Sequence, residues 1–210
     1  MSKTTAAANA VLDYSVKGIA PASNIPYLCL LSSVETPTEV SGGGYAPVAI
    51  TGSNFGNGAA SKAISNTAQI AFPTATADYN AEVIGVAIKN GSSGSNYLRT
   101  SYLTPGSYWA FTGNATTDYI TAPGHNFSNG QRVVLLGVDD SALPGGVTQG
   151  TLYYVINVTG NTFQISTTNG GSAVNLTADG AGKVARVVPL TVSTGFRPTF
   201  DVGTLIFKEI

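Results

Sequence analysis

Short apolar runs separated by turn-forming residues recur along most of the chain. The first, IPYLCLLSS, is bounded by Pro26 and Ser33 and is continuously apolar at its centre, which predicts a strand buried on both faces. Four more runs, each rich in valine, isoleucine or tyrosine, follow as YAPVAI, TAQIAF, AEVIGVAIK and NYLRTSYLT. Gly, Asn, Ser and Pro punctuate them. This spacing predicts a β-sandwich or jelly roll.

Helical spacing is confined to the start of the chain. Apolar residues there recur three and four positions apart, with Val11 and Leu12 among them and Gly18 as the stop. One short N-terminal helix is therefore expected, docked through its apolar stripe. Further on, NGSSGSN at residues 90–96 joins two apolar runs through residues that accept positive φ, which predicts a hairpin tip.

The pattern of apolar runs and turn residues changes near residue 110. A second series of strand-like runs is tightly punctuated by NG, TGN and NGG turns, and YYVINVTGNTFQIS is its clearest hairpin. From residue 189 onward the sequence returns to the pattern seen before residue 110. We therefore predict an all-β chain in which residues 1–109 and 189–210 form a sandwich or jelly-roll-like host domain. Residues 110–188 form a small inserted β-domain that projects outward.

The charge composition of the chain argues against some classes of partner. Only 10% of the residues are charged, and ten Lys and Arg nearly balance eleven Asp and Glu without forming a block. Such a chain offers no footprint for nucleic acid or for an anionic membrane. Its one cysteine, Cys29, excludes an intramolecular disulfide and is typical of a small core residue.

Residues for catalysis are scarce. His125, the one histidine, lies in a turn, where a structural role is expected, and there is neither a G-x-S-x-G elbow nor a phosphate loop. Asp139 and Asp140 lack the D-x-D-x-D pattern of a known calcium loop. We predict a protein that is not an enzyme and has no catalytic residues, cofactor or metal site.

Two groups of residues are candidates for contact with partners. Gly42, Gly43 and Gly44 precede YAPVAI, and glycine at a strand entry allows positive φ or a close approach of another backbone. They predict a sharp turn that places Tyr45 at the sheet edge or at a subunit contact; a flexible turn without a partner is the alternative.

The second group lies where the inserted domain begins. Tyr108 and Trp109 stand close to Phe111 in the sequence. Exposed, these aromatic residues would contact a sugar or a neighbouring subunit; buried, they would cap the host domain. Burial is the favoured interpretation, because adjacent aromatic residues at a domain seam commonly serve packing.

The order of several runs resembles a known family. TEVSGGGYA, the FPTAT segment and the strand pair after it, together with GFRPTFDVGTLIFKEI, are similar to small virion structural proteins of tailed bacteriophages. Residues 4–108 and 190–210 carry the resemblance. Pro47 stands where the family usually has arginine. The inserted module, with its H-x-x-x-x-G-x-x-V stretch from His125 to Val133, resembles a β unit that recurs in phage tail and capsid proteins.

The resemblance implies a place in the virion. Our first hypothesis is a head decoration, or cement, protein made in the host cytoplasm and bound to the capsid exterior. Its partners would be the major capsid protein and copies of itself, and the N-terminal segment and glycine turn would touch the shell. The alternative is a tail fibre or minor tail protein that binds a host glycan.

Overall fold

The computed structural model describes residues 25–51, 54–55, 63–138 and 141–208. Every regular element in these residues is a β-strand, so the prediction of an all-β chain is confirmed. The predicted N-terminal helix, with Val11 and Leu12, lies outside the described residues, as do Asp139 and Asp140. No helix of the described part is long and apolar enough to cross a membrane.

The chain divides into two compact units. Met1–Tyr102 and Pro189–Ile210 form the first, which we call the sheet unit, and Leu103–Val188 form the second, the barrel unit. Before the barrel, the strands are β1 (Pro26–Ser33), β2 (Thr38–Glu39), β3 (Val48–Ala49), β4 (Ala63–Ser65), β5 (Ile70–Ala71), β6 (Gly85–Asn90) and β7 (Tyr97–Tyr102). The barrel has β8 (Trp109–Asn114), β9 (Tyr119–Thr121), β10 (Arg132–Leu136), β11 (Leu152–Thr159), β12 (Thr162–Ser166) and β13 (Gly180–Val187). After it come β14 (Thr199–Phe200) and β15 (Ile206–Lys208).

The sheet unit is organised around β1. This strand pairs with β6 along one edge and with both β2 and β3 along the other, and β7 lies outside β6. All of these pairs are antiparallel. The side chains of Leu28 through Leu31 are buried, which confirms the prediction of a strand buried on both faces.

The residues that follow the barrel complete the sheet unit. Strand β14 pairs with β5, with Thr199 opposite Ala71, and β15 pairs with β4, with Phe207 opposite Ile64. An isolated bridge joins Val83 to Leu190. Two distant parts of the sequence therefore build one unit.

The predicted hairpin at residues 90–96 is confirmed, because β6 and β7 pair on either side of it. Other predicted strands are shorter than their apolar runs. Of YAPVAI only Val48–Ala49 is a strand, because the amide of Tyr45 bonds to the carbonyl of Gly42 and the run therefore begins in a turn. Of TAQIAF only Ile70–Ala71 is a strand.

The barrel unit is a closed, antiparallel barrel with strand order β10-β11-β12-β9-β8-β13. Each of the six described strands therefore pairs with a neighbour on both sides, so closure leaves none of them as an edge strand. Its core is apolar, and the predicted hairpin YYVINVTGNTFQIS is confirmed as β11 and β12. The amide of Val188 donates a hydrogen bond to the carbonyl of Leu103 at 2.9 Å, so the two ends of the unit are adjacent.

Candidate functional site

The glycine turn has the backbone conformation that the sequence predicts. Gly42, Gly43 and Gly44 have φ values of 82°, 55° and 72°, all in the left-handed region that favours glycine. The amide of Thr76 donates to the carbonyl of Gly43 at 2.8 Å, and the amide of Asn80 donates to that of Ser41 at 3.0 Å. The turn is therefore bound to the segment around residues 76–80.

Gly43 is also a point of close approach between backbones. A Cβ atom at this position would overlap the carbonyl oxygen of Ala77 and would lie 2.9 Å from Cδ1 of Tyr79. Both properties expected of the glycine run, positive φ and close approach, thus meet at this residue.

Tyr45, which follows the turn, is half-buried and bound inside the sheet unit. Its ring lies against those of Phe72 and Tyr79, with centroids 6.2 Å and 5.7 Å away. Its hydroxyl accepts a hydrogen bond from the Leu30 amide at 3.0 Å and donates to Oε2 of Glu39 at 2.9 Å. The turn thus positions Tyr45 for an internal role, and a contact with another subunit stays a prediction.

Three side chains meet around Glu39, and together with it they form what we call the Glu39 network: Glu39, Tyr45, Lys89 and Tyr97. The ammonium of Lys89 lies 2.5 Å from Oε1 of Glu39, and the hydroxyl of Tyr97 donates to the same oxygen at 3.2 Å. Lys89 is only 3% exposed. One carboxylate therefore accepts from three donors that come from three different parts of the sheet unit.

The sequence reasoning missed the Glu39 network. Lys89 closes the otherwise apolar run VIGVAIK, and a charged side chain in a buried strand requires a partner. The sequence therefore indicates that Lys89 has a partner. It does not indicate which residue that is, because Glu39 lies 50 residues away in the chain.

Burial shifts the acidities of the groups around Glu39. Desolvation, with the nearby Glu39 charge, raises the pKa of Tyr97 to about 12 and that of the Cys29 thiol to about 12. Burial also raises the pKa of Tyr45. The Cys29 side chain is fully buried, so its prediction as a core residue is confirmed. These groups stay protonated near neutral pH and are not activated nucleophiles.

Strong alkali should therefore destabilise the sheet unit. The unfolded chain releases the Tyr97 proton near the ordinary pKa of 10, whereas the folded chain holds it to about 12. This stabilisation is complete below pH 10 and is lost as the pH rises through 12. Urea unfolding followed by circular dichroism should show the loss. In Tyr97→Phe the alkaline loss of stability should be smaller but still present, because the pKa of Cys29 is raised as well.

Tyr108→Phe is the matched control for Tyr97→Phe, because Tyr108 is an exposed tyrosine of the barrel unit. Its alkaline loss of stability should equal that of the wild type. Equal losses in the two variants would contradict the assignment to Tyr97.

The aromatic residues at the start of the barrel unit are divided between surface and core. Tyr108 is 44% exposed, whereas Phe111 is buried. Trp109 is partly buried and meets the ring of Phe127 edge-to-face at 5.0 Å. The expectation that all three are buried is therefore wrong for Tyr108, which precedes the first barrel strand. Tyr108 remains available for contact with a partner.

His125 is a core residue of the barrel. Its Nδ1 accepts a hydrogen bond from the Phe127 amide at 2.7 Å, and its ring packs against those of Phe127 and Phe163. Burial lowers its pKa, so the imidazole is neutral at pH 7. The predicted structural role is confirmed. Among the described residues, no group of three or more His, Cys, Asp or Glu side chains is arranged to hold a metal ion.

Comparison with known protein families gives a match to the first half of the chain. Residues 2–107 match the model of a family described as podophage GP4 fiber I protein gp80. The match spans β1 to β7 and ends before β8 begins at Trp109. No curated protein matches the chain.

Proposed function

Since the chain belongs to the podophage GP4 fiber I protein gp80 family, we propose that it is a non-enzymatic subunit of a podophage tail fibre. Membership makes it a structural protein of a phage virion. Within the fibre, the sheet unit attaches the chain to the virion and the barrel unit engages the host surface.

One observation carries this proposal. The family match covers the sheet unit as far as β7 and ends at residue 107, just before the first strand of the closed barrel begins at Trp109. The part shared with a fibre family is thus separate from a barrel that closes on itself and has adjacent ends. A shared part suits attachment to a common particle, and an added self-contained part suits contact with a particular host.

The fibre match favours the tail alternative over the head decoration hypothesis. The partners we propose are copies of this chain within the fibre and a glycan on the host surface. The sparse charge of the sequence fits apolar and main-chain contacts between subunits, which depend little on salt. The major capsid protein becomes a partner only if the protein is located on the head.

The location and copy number of the protein in purified virions test the proposal. Quantitative mass spectrometry should find few copies per particle, and a gold-labelled antibody should mark the tail. Hundreds of copies spread over the head, in proportion to the capsid protein, would establish the decoration hypothesis instead. In addition, the purified full-length chain should compete with virions for adsorption to host cells.

A further inference from the structure

The barrel unit carries a pocket that the sequence reasoning did not anticipate. It has a volume of about 470 Å³ and is lined by the turn at Asn129, by Asn157 of β11 and by the segment from Asn169 to Ala173. This volume lies within the range of small-molecule sites. Three different parts of the barrel therefore each contribute an exposed asparagine to the lining of one open surface pocket.

The lining asparagines retain hydrogen-bonding groups for a ligand. Asn129 accepts from the Val158 amide at 3.0 Å through Oδ1, and Asn157 donates to Oε1 of Gln164 at 2.7 Å through Nδ2. Each side chain therefore keeps its other polar end. The Asn169 side chain makes no hydrogen bond to any residue that the structure describes, although it lies beside Gly130. Together they offer both donors and acceptors.

The backbone of β11 departs from a regular strand at this place. The register between β11 and β12 shifts between Ile156 and Thr159, and Asn157 has a φ of 51°. A bulge redirects a side chain, and positive φ is uncommon for residues other than glycine. In a regular strand Asn157 would lie on the same face as the buried Tyr153 and Val155. The irregularity explains why Asn157 is exposed and lines the pocket instead.

We infer that this pocket binds a neutral saccharide of the host surface. Among the residues that the structure describes, no charged side chain lines it, which disfavours ionic ligands, and its amide groups match the hydroxyl groups of a sugar. The apolar residues of its lining are Ala173 and Ile156, of which Ile156 is buried. The inference rests on the proposed function, because it names the class of ligand that the barrel unit meets.

The residues that line the pocket predict a low affinity for a single sugar. No aromatic side chain of the described part of the chain contributes to the pocket, so a sugar would gain no ring stacking from these residues. A few neutral hydrogen bonds support only weak binding at a single site. Repeated copies in a fibre would raise the overall strength, because the second contact forms at high effective concentration.

Nuclear magnetic resonance of the full-length chain tests the pocket directly. The probes are the methyl glycosides of neutral hexoses and N-acetylhexosamines, with glucuronic acid as a charged comparison. Neutral glycosides should shift the side-chain amide signals of Asn129, Asn157 and Asn169, and glucuronic acid should not. Asn169→Ala should weaken binding about fivefold, the effect of one lost hydrogen bond.

Asn175→Ala is the matched control, because Asn175 is an exposed asparagine of the same barrel that does not line the pocket. It should bind as the wild type does. If no neutral glycoside shifts the pocket signals, or if Asn169→Ala binds as tightly as Asn175→Ala, the inference is overturned. Trp109 emission verifies that each variant is folded.

Competition for adsorption separates this inference from the proposed function. Wild-type protein should block virion adsorption, and Asn169→Ala protein should block it less. If both block equally, the fibre role stands and the pocket is not the saccharide site. If neither blocks while glycosides still bind, the pocket stands and host adhesion by this protein is wrong.

Discussion

Gly43→Ala should destabilise the sheet unit by about 4 kcal/mol, a large fraction of the stability of a small domain. The alanine would have to adopt a φ of 55°, and its Cβ atom would overlap the carbonyl oxygen of Ala77. Because the overlapping atom belongs to the backbone, no side-chain rotation relieves the contact. Urea unfolding followed by circular dichroism should show an early transition. Emission from the one tryptophan, Trp109, reports the barrel unit separately.

The neighbouring residue provides the control for Gly43→Ala. Gly42 has a φ of 82°, yet the nearest atom to a Cβ there, the carbonyl oxygen of Asp78, would be at an ordinary distance of 3.5 Å. Gly42→Ala should therefore cost only the left-handed strain, about 1–2 kcal/mol. Equal losses of stability in the two variants would show that close approach at Gly43 contributes nothing.

Glu39→Ala should cost about 3–5 kcal/mol of the free energy of unfolding. The substitution leaves the buried ammonium of Lys89 without its carboxylate and removes the acceptor of two tyrosine hydroxyls. An uncompensated charge in the interior is among the most unfavourable changes in a folded protein. The measurement is again urea unfolding by circular dichroism.

Removing both charges tests the cause of the Glu39→Ala effect. Glu39→Gln keeps an acceptor for the tyrosines, and Lys89→Met removes the ammonium while keeping an extended side chain. The double variant should be more stable than Glu39→Gln alone, because neither charge then remains buried. A loss below about 1 kcal/mol for Glu39→Ala, typical of exposed ion pairs, would contradict the burial of the network.

The elements that sequence predicted well are those governed by local chemistry. The apolar run at β1, the hairpins β6–β7 and β11–β12, and the positive φ of the glycine turn follow from residues close together in the chain. Apolar periodicity and turn chemistry act over only a few residues. Such signals therefore suffice for an all-β chain and for its best hairpins.

What the sequence left unpredicted depends on contacts between distant residues. Thr199 pairs with Ala71 across the whole barrel segment, and no local pattern specifies that choice. Closure of six strands into a barrel likewise results from how strands pair. At Tyr108, the assumption that adjacent aromatic residues share one environment failed, because exposure changes within a few residues where the barrel begins.

The hydrogen bond between Val188 and Leu103 has an evolutionary consequence. A segment whose ends lie side by side is exchangeable: recombination on either side of it replaces one fold by another, or by a short turn, without disturbing the pairing of β14 and β15 with their partners. The entropic cost of a longer insert grows only slowly, about 0.6 kcal/mol per doubling of its length. If the barrel unit engages the host surface, as we propose, a phage lineage could change its host range by replacing this segment while it keeps the sheet unit.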